Sequence, residues 1–246
     1  MIYKDRIITH LQRKIPVITY ELTDSTNDRA RSFLAETPCE RIAFIANGQT
    51  NGRGRMGRSF YSPADTGIYL TYAFRSKKTC NDFIRVTTAA SVAVAKALDC
   101  NAKIKWVNDL YLHGKKICGI LTETLSTEED IYILVGVGIN LTTIDFPDSI
   151  KQTAGSIHGE IDKEKTIAAI CDQLSMVADN IRSDAYLEYY REHMLGVGQD
   201  IVYVENRQEH QAVIEGVDHY GGLIVIENNT KKILRSGEIS VKGVLE

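Results

Sequence analysis

Apolar residues recur with two different periods along this 246-residue chain, and the changes of period mark its elements. A step of two puts Ile68, Leu70, Tyr72 and Phe74 on one face of a predicted strand, Gly67–Phe74. Apolar stretches at Pro16–Leu22, Ile42–Ala46 and Ile131–Val137 predict further strands. Two short ones are expected at Lys103–Val107 and Leu110–His113, separated by the turn pair Asn108-Asp109, and His113-Gly114 then turns the chain into Lys116–Leu125. Steps of three and four instead link Ile167, Ile170, Cys171, Leu174, Val177, Ala178 and Ile181, the clearest helix, opening near Asp162. Another helix is predicted after Ser25, where Ser25 and Asp28 make a weak capping box and Pro38 closes the segment. An alanine- and valine-rich stretch from about Asp82 to Leu98 reads as a buried helix. Ala185–His193 reads as helical, and Ile7, Ile8 and Leu11 give a short signal near the start.

Beyond Gly196-Val197-Gly198 only short strand signals remain, at Ile201–Val204, Gln211–Val217, Leu223–Ile226 and Glu238–Val241. Their spacing predicts a small β-barrel over residues 196–246. A core that small is marginal alone, so it is expected to pack on a main domain of residues 1–195.

Composition narrows the function classes. Hydrophobic content of 43% and charged content of 25% fit a soluble globular protein. No apolar run approaches the ~20 residues that span a bilayer, and no apolar segment follows the charged N-terminus as in a signal peptide. A net charge of −3 speaks against a dedicated nucleic-acid binder. Cys39, Cys80, Cys100, Cys118 and Cys171 are odd in number and form no C-x-x-C pair. They read as reduced thiols of a cytoplasmic protein, with Cys118 and Cys171 as core fillers.

Against that acidic background stands Gly52-Arg53-Gly54-Arg55-Met56-Gly57-Arg58. Glycine permits close backbone approach, and arginine offers a planar fork that fits carboxylate and phosphate oxygens. The segment reads as a mobile clamp for a small anion; a solvated basic loop is the plainer alternative. It is not a P-loop, and Gly136-Val137-Gly138 lacks the third glycine of a dinucleotide fingerprint.

Six motifs in order carry more weight than any one. They are Ser25-Thr26-Asn27; Gln49 with Gly52–Arg58; Ser62-Pro63; Lys105-Trp106-Val107-Asn108-Asp109; Lys116 with Gly119-Ile120; and Gly136-Val137-Gly138-Ile139-Asn140. Over residues 20–145 this order resembles the biotin protein ligases, and Ser236-Gly237-Glu238-Ile239-Ser240 resembles their small C-terminal domain. The resemblance implies an α+β fold, a mixed β-sheet with helices on one side as in class II synthetases, plus an SH3-like C-terminal β-barrel. It implies that biotin and ATP, with Mg2+, form biotinyl-5'-AMP, and that a lysine of a biotin carboxyl carrier protein domain then attacks it. Lys116, Arg53, Arg55 and Asp109 are then the catalytic candidates. Biotin would meet Ser25, Thr26, Asn27, Gln49, Gly52, Arg53, Gly54, Arg55, Lys116, Gly119 and Gly138. ATP would meet Arg53, Arg55, Arg58, Phe60, Asn108, Asp109, Lys116 and Asn140, with Asp109 acting through Mg2+ and no metal ligand set assigned.

Read without the family, Ser25 is a helix N-cap, Asn27 and Gln49 are surface amides, Asn108-Asp109 is a turn, and Lys116 is a solvated charge. Strand alternation puts Lys115 and Lys116 on opposite faces, and alignment to Gly119 selects Lys116. Trp106 reads as a wall or core residue. Three positions depart from the family: Val107 replaces the proline of K-W-P-N-D, Asn51 a usual alanine, and Phe60 a common tryptophan. Only 24 residues precede Ser25, too few for the winged helix that lets some members bind DNA, so no specific DNA partner is expected. No membrane partner is expected, and the state is monomer or homodimer. The alternatives are a lipoate or octanoate ligase or transferase of the same fold family, whose R-R-x-x-G-G-G type loop is absent, and an arginine-rich RNA binder.

Overall fold

The computed structural model describes residues 2–76, 83–205, 207–235, 237 and 239–241. Cys80, Asp82, Ser236 and Glu238 lie outside the described residues. Two sheets organise the chain. The first has seven strands: β1 (Val17–Thr23), β2 (Arg41–Gln49), β3 (Gly67–Ser76), β4 (Lys103–Lys105), β5 (Asp109–Leu112), β6 (Lys115–Ser126) and β7 (Ile131–Asn140). Their spatial order is β1-β2-β3-β7-β6-β5-β4. β1 and β2 are parallel, joined through helix α2 (Thr26–Glu36), and the other neighbours are antiparallel, so the sheet is mixed.

The period-two pattern of β3 is only half of its packing. Ile68, Leu70, Tyr72 and Phe74 join the main core, as the alternation predicts. The alternate residues Tyr69, Thr71 and Ala73 are equally buried, so the strand is covered on both faces. The rear face packs against α1 (Lys4–His10), α3 (Phe83–Leu98) and α4 (Lys163–Asp179). α3 supplies Val86, Ala89, Ala90 and Ala93, small residues that let a helix approach a sheet closely. α4 opens at Asp162, whose carboxylate accepts the Lys165 N–H. The expectation of helices on one side holds for these three. α2 lies on the front face, where Ala30 and Leu34 pack on Ile42, Phe44, Ala73, Tyr132 and Leu134.

Two strand ends shift in ways that matter for the site. β7 continues to Asn140, so Gly136, Gly138 and Asn140 stand inside the ladder rather than beyond it. β5 begins at Asp109, so the turn is Trp106-Val107-Asn108 and Asp109 is a strand residue. The Trp106–Val107 peptide is cis.

The second sheet holds β8 (Asp200–Glu205), β9 (Gln208–Val217), β10 (Leu223–Glu227), β11 (Thr230–Leu234) and β12 (Ile239–Val241), in the order β11-β10-β9-β8-β12. It is antiparallel throughout, as an SH3-like unit requires, but among the described residues its edges β11 and β12 do not pair. The expected barrel is therefore an open sheet: closure needs a hydrogen-bonded ladder between the edges, and β12 is three residues long. β11 had no signal in the sequence because Lys231 and Lys232 interrupt its apolar pattern.

The β9–β10 turn docks this sheet on the first. Trp106 donates its indole N–H to the Gly221 carbonyl at 2.9 Å, Gly221 sits against Thr88, and Arg85 donates to the carbonyls of Arg182 and His219. Trp106 is thus a wall residue with a structural bond. Cys118 and Cys171 are fully buried, and burial pushes both thiols up, that of Cys171 to about 12, as core fillers require. Trp106→Phe is expected to lower the unfolding free energy by roughly 1–3 kcal/mol, because it strands a buried carbonyl. Urea unfolding followed by circular dichroism measures it; an unchanged midpoint at constant slope would refute this role.

Candidate active site

A cavity of about 380 Å³ opens on the front face of the first sheet, within the size range of small-molecule sites. Its floor is β6 and β7, where side chains are missing at Gly119, Gly136 and Gly138. At Gly136 an added Cβ would lie 2.4 Å from Asn27 Oδ1, so this glycine is what lets the start of α2 descend onto the sheet. At Gly138 a Cβ would lie 2.5 Å from the ring of Phe60, which rests edge-on to Tyr69 at 6.5 Å between centroids.

One end of the cavity is a polar head pocket at the N-terminus of α2. Ser25 caps the helix, its Oγ accepting from the Asp28 N–H at 3.4 Å, and it lines the cavity as well. The capping box is not reciprocal: the Ser25 N–H donates to Asp24, and Asp28 turns to Arg53. Gln49 Oε1 accepts from Thr26 N–H at 2.9 Å and from Thr26 Oγ1 at 3.2 Å, while its Nε2 donates to Ser62. Asn27 is buried rather than a surface amide; it accepts from Thr71 and donates to Glu123 at 2.7 Å. Thr71 has one hydroxyl proton for two acceptors, Thr26 Oγ1 and Asn27 Oδ1. Turning that proton to Asn27 frees Thr26 to accept from a ligand.

The other end is cationic. Lys116 Nζ lies 2.8 Å from Asp109 Oδ2. Lys116 and Gly119 are three positions apart, an odd offset that in a regular strand would put them on opposite faces. A bulge brings them together: Leu110 pairs with Cys118 and Tyr111 with Lys116, leaving Ile117 out of register. Ile117 and Cys118 both enter the rear core, so Lys116 comes forward beside Gly119, within 3.3 Å of where its Cβ would be. Lys115 points away and donates to the Gln152 carbonyl. Asp109 Oδ1 and Asn140 Oδ1 are buried without a hydrogen-bond partner, and both residues line the cavity. The Asn140 amide donates to the Gly155 carbonyl at 3.0 Å. Asn108 is buried and fixed by its Nδ2 bond to the Ile120 carbonyl, so Asn108-Asp109 is more than a turn.

The arginine segment closes over the cavity as a small hairpin. β2 runs past the predicted end at Ala46 to Gln49, so the loop that carries the arginines is Thr50–Thr66. Phe60 N–H donates to the Gly52 carbonyl and Gly54 N–H to the Arg58 carbonyl, with a bridge between Arg53 and Ser59. Met56 and Gly57 form the tip with φ of 55° and 74°. Arg53 is held by Asp28 at 2.7 Å and Glu123 at 3.3 Å; the hydrogen bond to Asp28 keeps it firmly cationic. Arg55 donates to Asn108 Oδ1 at 2.8 Å and to the Gly237 carbonyl at 3.1 Å, tying the hairpin to both sheets. Arg58 lines the same wall.

All the residues named from the sequence except Gly52 line this cavity; Gly52 lines a neighbouring one. Sequence reasoning missed the far wall. Phe146, Ile150, Thr153 and Ala154 come from a segment without apolar periodicity, held by Lys116 N–H to the Thr153 carbonyl and Gly155 N–H to the Lys116 carbonyl. Ile239 and Ser240 come from the second sheet, and Tyr111 from β5. Burial, with Asp109 adding, pushes the Tyr111 phenol up to about 12. Among the described residues no three His, Cys, Asp or Glu side chains gather as a metal site, and no helix is long and apolar enough to cross a membrane.

Comparison with known proteins agrees with this geometry. The profile of the Biotin/lipoate A/B protein ligase family matches residues 19–140. The Bifunctional ligase/repressor BirA of Bacillus spizizenii is 33% identical over 57% of this chain, and the match spans 46% of that protein's length. BirA of Escherichia coli is 26% identical over 93% of this chain and 73% of its own. The Biotin--[acetyl-CoA-carboxylase] ligase of Paracoccus denitrificans is 26% identical over 90% of this chain and 98% of its own. In fold, the biotin protein ligase of Aquifex aeolicus, solved with biotin and ATP, superposes with a TM-score of 0.77 over 92% of this chain and 98% of its own, at 24% identity. The order of motifs, the glycine-floored cavity and these matches agree: residues 19–140 form a domain of the biotin/lipoate A/B protein ligase family.

Proposed function

We propose that the chain is a biotin protein ligase: it activates biotin with ATP as biotinyl-5'-AMP, releasing pyrophosphate, and transfers the acyl group to a lysine of a biotin carboxyl carrier domain, releasing AMP. The observation that carries this is one cavity with a neutral hydrogen-bonding pocket at one end and Lys116 at the other. A bicyclic urea with a carboxylate tail has that distribution of polarity. The dithiolane of lipoate cannot use Ser25, Thr26 and Gln49, and a site built to hydrogen-bond one ligand rejects an analogue that lacks the groups.

The first step brings a carboxylate oxygen onto an α-phosphate, so two anions meet. Lys116 and Arg55 present fixed positive charge where negative charge develops in the transition state. No enzyme nucleophile is required, and orientation in the cavity supplies much of the remaining acceleration. Phe60 and the hairpin cover the nucleotide side and keep water from the mixed anhydride. Mg2+ fits this end: Asp109 Oδ1 and Asn140 Oδ1 are hard, buried, unpartnered oxygens, and Mg2+ is commonly held by one carboxylate together with phosphate oxygens and water. When bound it would neutralise the polyphosphate.

Two experiments test this reading. Incubation with a carrier domain, MgATP and an equimolar mixture of biotin and lipoate is expected to add one biotin to the carrier, read by mass spectrometry. Lipoylation, or no transfer of either acid, would overturn it. Lys116→Ala is expected to lower pyrophosphate release by ~10²–10³, the effect of removing one charged stabiliser from a water-poor site. Lys115→Ala, on the opposite face, keeps near-normal turnover. A dead Lys115→Ala, or full activity in Lys116→Ala, would show the chemistry to lie elsewhere.

A further inference from the structure

The front face carries a second chamber of about 390 Å³, lined by Asp28, Asn51, Gly52, Met56, Gly57, Leu121 and Glu123 among others. Arg53, Gly54, Arg58 and Ser59 of the hairpin and Leu121 of the β6 floor line both this chamber and the main cavity, so the hairpin is the partition that stands on a shared floor. On this side the Arg53 guanidinium fastens the partition. Arg53 donates to Asp28 at the start of α2 and lies 3.3 Å from Glu123 on β6. Glu123 is only 17% exposed and is itself held by Asn27 at 2.7 Å and Arg31 at 3.1 Å. A continuous chain of polar contacts thus runs from Gln49 and Thr26 in the head pocket, through Thr71, Asn27 and Glu123, to Arg53 in the hairpin.

Neither carboxylate lines the main cavity, so neither is placed to touch the reacting atoms. What they touch is the group that keeps the hairpin down. We propose that Asp28 and Glu123 are positioning residues that latch the hairpin through Arg53, and so set how long the reactive adenylate is retained. Release of Arg53 would merge the two chambers and open a route out. The proposal rests on the ligase reading above and adds a control on retention rather than on chemistry.

The test uses the full chain with Asp28→Asn, Glu123→Gln and the double variant. Asp28→Asn removes the charge that pairs with Arg53 and leaves the backbone N–H that Ser25 caps, so it is the variant that guards against misfolding. After adenylate is formed from labelled biotin and MgATP, its dissociation is followed in a chase with unlabelled biotin. Each single variant is expected to release it about three- to tenfold faster, the range for partly exposed to partly buried charged pairs. The first-turnover rate of pyrophosphate release stays within about twofold of wild type, as expected when an interaction outside the transition state is removed. Raising ionic strength from ~0.05 M to ~0.5 M speeds release from the wild type and much less from the double variant, because screening weakens an ion pair only where there is one. A merely structural role would not move that salt response. Unchanged release with an unchanged salt response overturns the latch while leaving the ligase reading intact. Amide exchange across residues 50–62 of the ligand-free protein gives an independent measure: faster exchange in the variants supports the latch, and equal exchange overturns it even if no adenylate forms.

Discussion

The absence of side chains on one patch of sheet is the constraint from which the rest of the site follows. At Gly136 and Gly138 the floor of β7 is bare backbone, and the space above it is already taken by Asn27 and the Phe60 ring. α2 can therefore bring Ser25 and Thr26 to the sheet, and the hairpin can fold back over them. An ordinary side chain at either glycine would push the cover off the floor. The bulge at Ile117 completes the arrangement by turning Lys116 to the same side. Residues far apart in sequence then share one small volume without any strand having to bend sharply.

The polar groups are arranged so that few of them are idle before a ligand arrives. Gln49, Asn27, Asn108 and Arg55 are all engaged with neighbouring side chains or with backbone, which holds them in position at little further entropy cost when a ligand binds. The exceptions are informative. Asp109 Oδ1 and Asn140 Oδ1 are left without a partner in a buried place, a cost for which a bound ligand or ion would compensate.

Much of this was legible in the chain itself. β3 and α4 announced themselves by period, and the site residues by the order of their motifs rather than by any single one. Lys116 was separable from Lys115 by alternation, yet its position beside Gly119 depends on a bulge that no local pattern encodes. The wall from Phe146 to Ala154 was invisible because irregular backbone has no periodicity to read. Asn27 and Asn108 looked like surface and turn residues, since an amide advertises nothing about its burial; only the tertiary neighbours decide it. The second sheet was legible as a set of strands but not as an open one, because closure is a relation between its first and last strands in space.

Arg55 bonds to Asn108 in the turn between β4 and β5 of the first sheet and to the Gly237 carbonyl between β11 and β12 of the second, and Ile239 and Ser240 complete the cavity wall. Ligand occupancy and docking of the two sheets are therefore thermodynamically linked. Whatever factor a bound ligand adds to the docking equilibrium, docking returns to the ligand's affinity, by the reciprocity that governs any two coupled equilibria. A substitution on the outer strands of the second sheet that loosens its seat would then be felt as weaker binding, at a distance and without touching the ligand. The smaller sheet is in this sense part of the binding site's energetics as well as its shape.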